Sequence, residues 1–161
     1  MRCVSKNLMF WVVVLGALST ALPVQADFWD GLAAYDAGNY AEARAQWRSL
    51  AETGDADAQS SLAGLYAQGL GVPWDFERAA HWFRRAAAQG HAIAQLNIGD
   101  YYARGRGVPL DLAQGWFWLS LAARQGNSWA ATRRGAIETR MDESVLKIAK
   151  HRLANWRRTV E

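Results

Sequence analysis

The sequence predicts an all-α chain folded as a right-handed α–α superhelix, a solenoid of paired antiparallel helices with no strand. Three observations predict it. The middle of the chain repeats on itself with a period of 36 residues. Glycine, proline and aspartate recur in that phase as punctuation. Between them, alanine and larger apolar residues fall at helical spacing. A repeat of this length is one supersecondary unit, and it needs its neighbours to bury its apolar face.

Residues 1–26 form a leader. Arg2 and Lys6 precede an apolar run over residues 8–22, and Pro23 then breaks the helix. Val24-Gln25-Ala26 places small residues at the −3 and −1 positions of a cleavage site before Asp27. This is the layout of a secretory signal peptide. The run is shorter than the ~20 residues of a spanning helix. The expected location is the bacterial periplasm, after cleavage at Ala26 and with no membrane span left. The alternative is an uncleaved inner-membrane anchor that leaves the domain facing the same compartment.

Hydrophobic residue types make up 51% of the chain and charged types 20%, which excludes a disordered protein. The net charge is +3, but without the leader it falls to +1. That is no electrostatic footprint for nucleic acid. The one cysteine, Cys3, also lies in the leader. The remainder has no thiol for a disulfide framework, a thiolate metal site or cysteine catalysis.

Residues 27–55 read as a shortened first unit: Tyr35, Gly38, Ala43, Trp47 and Gly54 match Tyr66, Gly69, Ala79, Phe83 and Gly90 of the next. Residues 56–91 form the first full unit. Ala58, Leu62, Leu65 and Tyr66 make one apolar helical stripe. Gly69 ends that helix by taking the left-handed cap conformation. Val72-Pro73 cannot continue it. Asp75 starts the second helix by accepting orphan backbone amides. Ala79, Trp82, Phe83, Ala86 and Ala87 form the next stripe, and Gly90 ends the unit. Residues 92–127 repeat the plan. Residues 128–161 give half a unit and then a capping helix opening near Asp142. Its Val145, Ile148, Ala149, Leu153 and Trp156 form the expected inner face, with Lys147, Lys150, Arg152, Arg157 and Arg158 elsewhere.

The first full unit carries Ala58, Leu62, Ala63, Tyr66, Gly69, Gly71, Val72, Pro73, Asp75, Ala79, Trp82, Ala86, Ala87 and Gly90. The second carries Ala94, Ile98, Gly99, Tyr102, Gly105, Gly107, Val108, Pro109, Asp111, Gly115, Trp118, Ala122, Ala123 and Gly126. This pattern resembles the Sel-one-like repeat, a relative of the tetratricopeptide repeat. The opening unit, with Gly38-Asn39-Tyr40, looks more tetratricopeptide-like. The resemblance implies structural residues and no catalysts. It implies an adaptor or scaffold that binds a protein or peptide on its concave surface, in envelope assembly, export or signalling. A cysteine-rich branch of the family is associated with β-lactam binding, and a chain with no cysteine after its leader does not match that branch.

The chemistry-bearing residues are few. His81, His91 and His151 make no metal-ligand pair, and no metal or cofactor is expected. Asp75 and Asp111 could be read as paired acids of an envelope hydrolase, but their repeat phase favours helix caps. The competing functional readings are that hydrolase and a binder of peptidoglycan or polysaccharide fragments. Trp74 and Trp116 are not required by the repeat and are candidate aromatic anchors, although Trp116 could equally pack on the next helix. Residues 124–161 carry a net +5 against −4 for residues 27–123. The basic C-terminal helix is therefore a candidate dock for an anionic partner. On the first helices one stripe is left over after the core is assigned. It holds Ser61, Gly64 and Gln68 in one unit and Asn97, Asp100 and Arg104 in the next. Each trio shares a helical face. By the resemblance, this stripe lines the concave surface and is the expected partner-binding site.

Overall fold

The computed structural model describes residues 27–156. Residues 1–26, where a signal peptide is expected, and Arg157 and Arg158 lie outside the described residues. Eight helices follow one another, with no strand among the described residues: α1 Phe28–Asp36, α2 Tyr40–Glu52, α3 Ala56–Gln68, α4 Phe76–Ala88, α5 Ala92–Arg104, α6 Leu112–Arg124, α7 Ser128–Glu138 and α8 Glu143–Asn155. Each of α1 to α6 packs on the next in sequence, which makes an α–α solenoid. The helix α8 turns back onto α6 and closes the end.

The helix boundaries have local causes. Asp55, Asp75 and Asp111 each accept a backbone N–H from three residues on, at 2.7, 2.8 and 2.9 Å. These bonds satisfy amides that the first turn cannot pair internally. Gly69 and Gly105 end α3 and α5 in the left-handed region, at φ 68° and 66°. Gly107 is required twice over. Its φ is 64°, and a Cβ there would sit 2.1 Å from the Phe76 carbonyl oxygen of the preceding unit.

The core runs the length of the stack and is alanine-rich. Ala58, Leu62, Leu65, Ala79, Ala86 and Ala87 are buried in the first full unit, with Trp47 and Phe83 filling the space between helices. Trp82, expected beside them, is only partly buried, with the Arg85 guanidinium 5.1 Å from its ring centre. In the second unit the small-residue positions are Gly99 and Gly115, where added Cβ atoms would meet the opposite backbone at 3.1 and 3.0 Å. The α5–α6 backbones therefore approach closely.

A polar relay joins the units. Gln59 is fully buried and donates to the Ala51 carbonyl at the end of α2, at 3.1 Å. Gln89 donates to the Gln59 Oε1 at 2.9 Å and to the Gly54 carbonyl at 2.8 Å. The same set recurs as Gln95 to Ala87, and Gln125 to Gln95 and to Gly90, at 3.1, 2.8 and 2.9 Å. The relay thereby gives the Gly54 and Gly90 carbonyls a donor and adds a donor to the Ala51 and Ala87 carbonyls near the helix ends.

Two expectations are corrected here. Trp116 is no exposed anchor. It is 5% exposed, and its indole N–H donates to Glu138 Oε2 on α7 at 2.9 Å. Ile148 is 52% exposed, and Leu146 packs on the core in its place. The α8 helix meets α6 with a face rotated from the one its spacing suggested.

Candidate functional site

A groove of about 740 Å³ runs along the first helices α1, α3 and α5. Five residues of the predicted stripe line it: Ser61, Gly64, Gln68, Asn97 and Asp100. The sixth, Arg104, lines an adjoining hollow of about 420 Å³, which Asp100 also borders. The structure thus brings all six to one continuous surface.

The α1 end of the groove is aromatic. Phe28 stacks on Trp47 with ring centres 5.9 Å apart, and Tyr35 lies 5.7 Å from the same ring. The Trp47 indole N–H donates to the Phe28 carbonyl at 3.2 Å, which holds this wall in place. Gly64 leaves the middle open, since a Cβ there would meet only the Gln68 amide, at 3.7 Å. His91 closes one side. Its Nδ1 accepts the Ala94 backbone N–H, so Nε2 carries the proton and donates to Asp57 Oδ1 at 3.1 Å. Tyr101 and Arg106 form the far wall. The Arg106 guanidinium lies 6.0 Å from the Tyr101 ring centre. Burial pushes the Tyr101 hydroxyl above its ordinary value of 10.0, with Arg106 opposing the shift. The phenol therefore stays protonated and can donate.

Asp100 is the junction of the two hollows. Its Oδ2 accepts from Arg104 Nε at 3.0 Å, and its Oδ1 accepts from Arg133 Nη1 on α7. Arg104 is half exposed, so its pair with Asp100 alone is worth only about 0.3–0.5 kcal/mol.

Sequence reasoning missed part of this surface. Ile93 lines the groove and is 59% exposed, and Trp129, one period on, is 71% exposed at the same helical phase of α7. Arg133, Ala136 and Arg140 continue the stripe and line the smaller hollow. The signal was present: each lies 36 residues after Asn97, Asp100 or Arg104. Trp74 lies away from the groove, 74% exposed on the turn after α3. Its indole N–H donates to the Gln68 carbonyl at 2.6 Å, and the ring covers Gly69. Asp75 and Asp111 are occupied as caps. Among the described residues, no group of three or more His, Cys, Asp or Glu side chains could hold a metal ion. No helix among them is long and apolar enough to cross a membrane.

Stacked helical pairs with an open first-helix face define the protein's class, an α–α solenoid with a groove along its first helices. Comparison with known proteins narrows it. The Sel1 repeat model matches residues 56–91 and 92–127. A Sel1 repeat protein from Oxalobacter formigenes is 34% identical, over 68% of this chain and 85% of that one, with a TM-score of 0.63. A protective antigen present in uropathogenic Escherichia coli strains, displaying an SLR fold, is 28% identical over 78% of this chain, with a TM-score of 0.74. This chain spans 28% of that antigen's length. No curated protein matches. The chain belongs to the Sel1 repeat family, whose members are generally protein–protein interaction modules.

Proposed function

We propose that the protein is a periplasmic adaptor or scaffold that binds a protein or peptide partner in the first-helix groove, in envelope assembly, export or signalling. One observation carries the reading. The groove exposes residues at a fixed repeat phase that the core does not use, and they differ from unit to unit: Ser61, Gly64 and Gln68 against Asn97, Asp100 and Arg104. A surface varied on a constant framework suits recognition better than catalysis. Interfaces draw on exposed aliphatic and aromatic anchors among polar groups, which Ile93, Trp129 and Asn97 supply. The two carboxylates that a hydrolase would need, Asp75 and Asp111, are spent on helix starts. The leader supports the compartment, through its n-region, apolar run and small-residue cleavage site.

The test uses Gly64→Trp, which has room on α3 and fills the groove. A partner recovered from envelope extract by the wild-type chain should be lost with this variant, while its helical circular dichroism is unchanged. Equal recovery by both would remove the groove from the function. Mass measurement of the secreted chain checks the leader. An N-terminus at Asp27 is expected, and retention in the cytoplasm would contradict the location.

A further inference from the structure

The stripe changes charge from one end to the other. On α3 the row Ser61, Gly64, Gln68 is uncharged. On α5 the row Asn97, Asp100, Arg104 carries one carboxylate and one guanidinium. On α7 and the turn that follows it, the row Arg133, Ala136, Arg140 carries two guanidiniums and no carboxylate. The last two rows meet in the hollow of about 420 Å³. Arg104, Arg133 and Arg140 line it with Asp100 as the sole acid.

Asp100 is shared. It takes Arg104 on one oxygen and Arg133 on the other, so one carboxylate serves two guanidiniums. Arg140 is exposed and makes no ion pair among the described residues. Glu138, the one acid on α7, accepts the Trp116 indole N–H instead. The hollow therefore carries an excess of two positive charges. A guanidinium offers five N–H donors in a fixed fork that matches a carboxylate, and Asp100 takes only a fraction of those present.

We propose that the groove selects an acidic peptide segment, whose carboxylates dock on Arg104, Arg133 and Arg140 while its chain continues over Asn97 and Gly64 toward α1. This rests on the reading of the first-helix face as a partner surface, and it names the chemistry of the partner. Charge complementarity points to an anion. The shape of the surface points to a peptide rather than an anionic bilayer or polymer. The basic hollow joins the larger groove at Asp100, and that groove offers apolar walls at Ile93 and Phe83. It also offers a free amide oxygen, because Asn97 spends its Nδ2 on the Ile93 carbonyl and keeps Oδ1 for a peptide N–H. A flat lipid surface does not follow such a groove. The α8 helix is a weaker anion dock: its Lys147 and Lys150 stand exposed on the helix surface, and Arg152 lies 3.8 Å from Asp111.

The experiment selects a displayed library of random dodecapeptides on the full chain, and then measures one selected peptide by fluorescence anisotropy. Acidic residues should be enriched next to apolar ones. Arg140→Glu should weaken that peptide at least tenfold. Asp100→Asn, which releases two guanidiniums, should tighten it; a folding defect cannot raise affinity. Selected peptides without acidic excess, lost with Gly64→Trp, would overturn the inference and leave the groove reading standing. Acidic peptides indifferent to Arg140→Glu would overturn it too, as would binding to phosphatidylglycerol vesicles and to no peptide. Recovery of no peptide and no vesicle would overturn both.

Discussion

The second helices of the two full repeats, α4 and α6, share a framework and differ in what they leave uncovered. The α4 helix buries Ala79, Ala80, Phe83, Ala86 and Ala87 and turns His81 and Arg84 to solvent. One period later, α6 places Phe117, Ser120 and Leu121 where α4 has His81, Arg84 and Arg85, and all three are buried. A helix that is apolar on every side must be covered on every side. The cover is α8, which packs on α6. Cap, glycine and glutamine positions set the repeat, and the outer face is set by what lies on it. The same division holds on the inner face, where a constant scaffold carries rows of different charge.

The comparison breaks most severely when the cover is removed. Truncation after Met141 should uncover Phe117 and Leu121, each worth about 1.5–3 kcal/mol of burial. Loss of soluble, cooperative unfolding is expected by size-exclusion chromatography and thermal melting. A monomeric truncation that melts cooperatively would show that α8 is dispensable.

A smaller effect separates two glycines of one turn. Gly107→Ala meets both a positive φ and the Phe76 carbonyl, whereas Gly105→Ala meets the positive φ with its nearest neighbour at 3.4 Å. Gly105→Ala should cost about 1–2 kcal/mol in urea denaturation. Gly107→Ala should cost clearly more, and equal costs would contradict the close approach of the units.

The glutamine relay comes next. Gln95→Ala removes one of the donors to the Ala87 carbonyl and one of the two acceptors of the Gln125 amide, at an expected cost of about 0.5–1.5 kcal/mol for each bond lost. Gln59→Ala should cost about the same, because its bonds repeat in phase. A cost confined to one unit would mean that the relay is not what couples them.

The smallest effect is a pH slope that belongs to α4 alone. Partial burial, then Arg84 and Arg85, hold His81 below its ordinary value of 6.5. The unfolded chain then binds a proton at higher pH than the folded one. Stability is lost as pH falls through 6.5 toward the folded value. His81→Gln should flatten this part of the stability profile, and Phe117 supplies no counterpart in α6. An unchanged slope in the variant would exclude His81 as its source.

The repeat, its caps and most of its core were legible because local rules govern them. An aspartate before an alanine-rich stripe and a glycine after it act within a turn or two. Trp116 was not settled by such rules, because its partner Glu138 lies 22 residues on, on another helix. Ile148 shared the helical spacing of the true inner face, and spacing does not say which way α8 rotates on α6. Gln59 and Gln95 were visible as repeats, but their role depends on Gln89 and Gln125, 30 residues away. The α5 row of the groove was legible from phase. The α7 row follows the same phase, yet the glycine and proline punctuation fades after Gly126 and hides it.

The central claim is that the first-helix face makes the contact. Exposed apolar side chains report on each face: Ile93 and Trp129 on the first helices, Ile148 on α8. Hydroxyl-radical footprinting of the chain with and without its recovered partner reads them directly. Protection of Ile93 and Trp129, with Ile148 and the α4 outer face unchanged, is the expected result. Protection of Ile148 and the α4 outer face, with Ile93 and Trp129 still fully reactive, would contradict the claim.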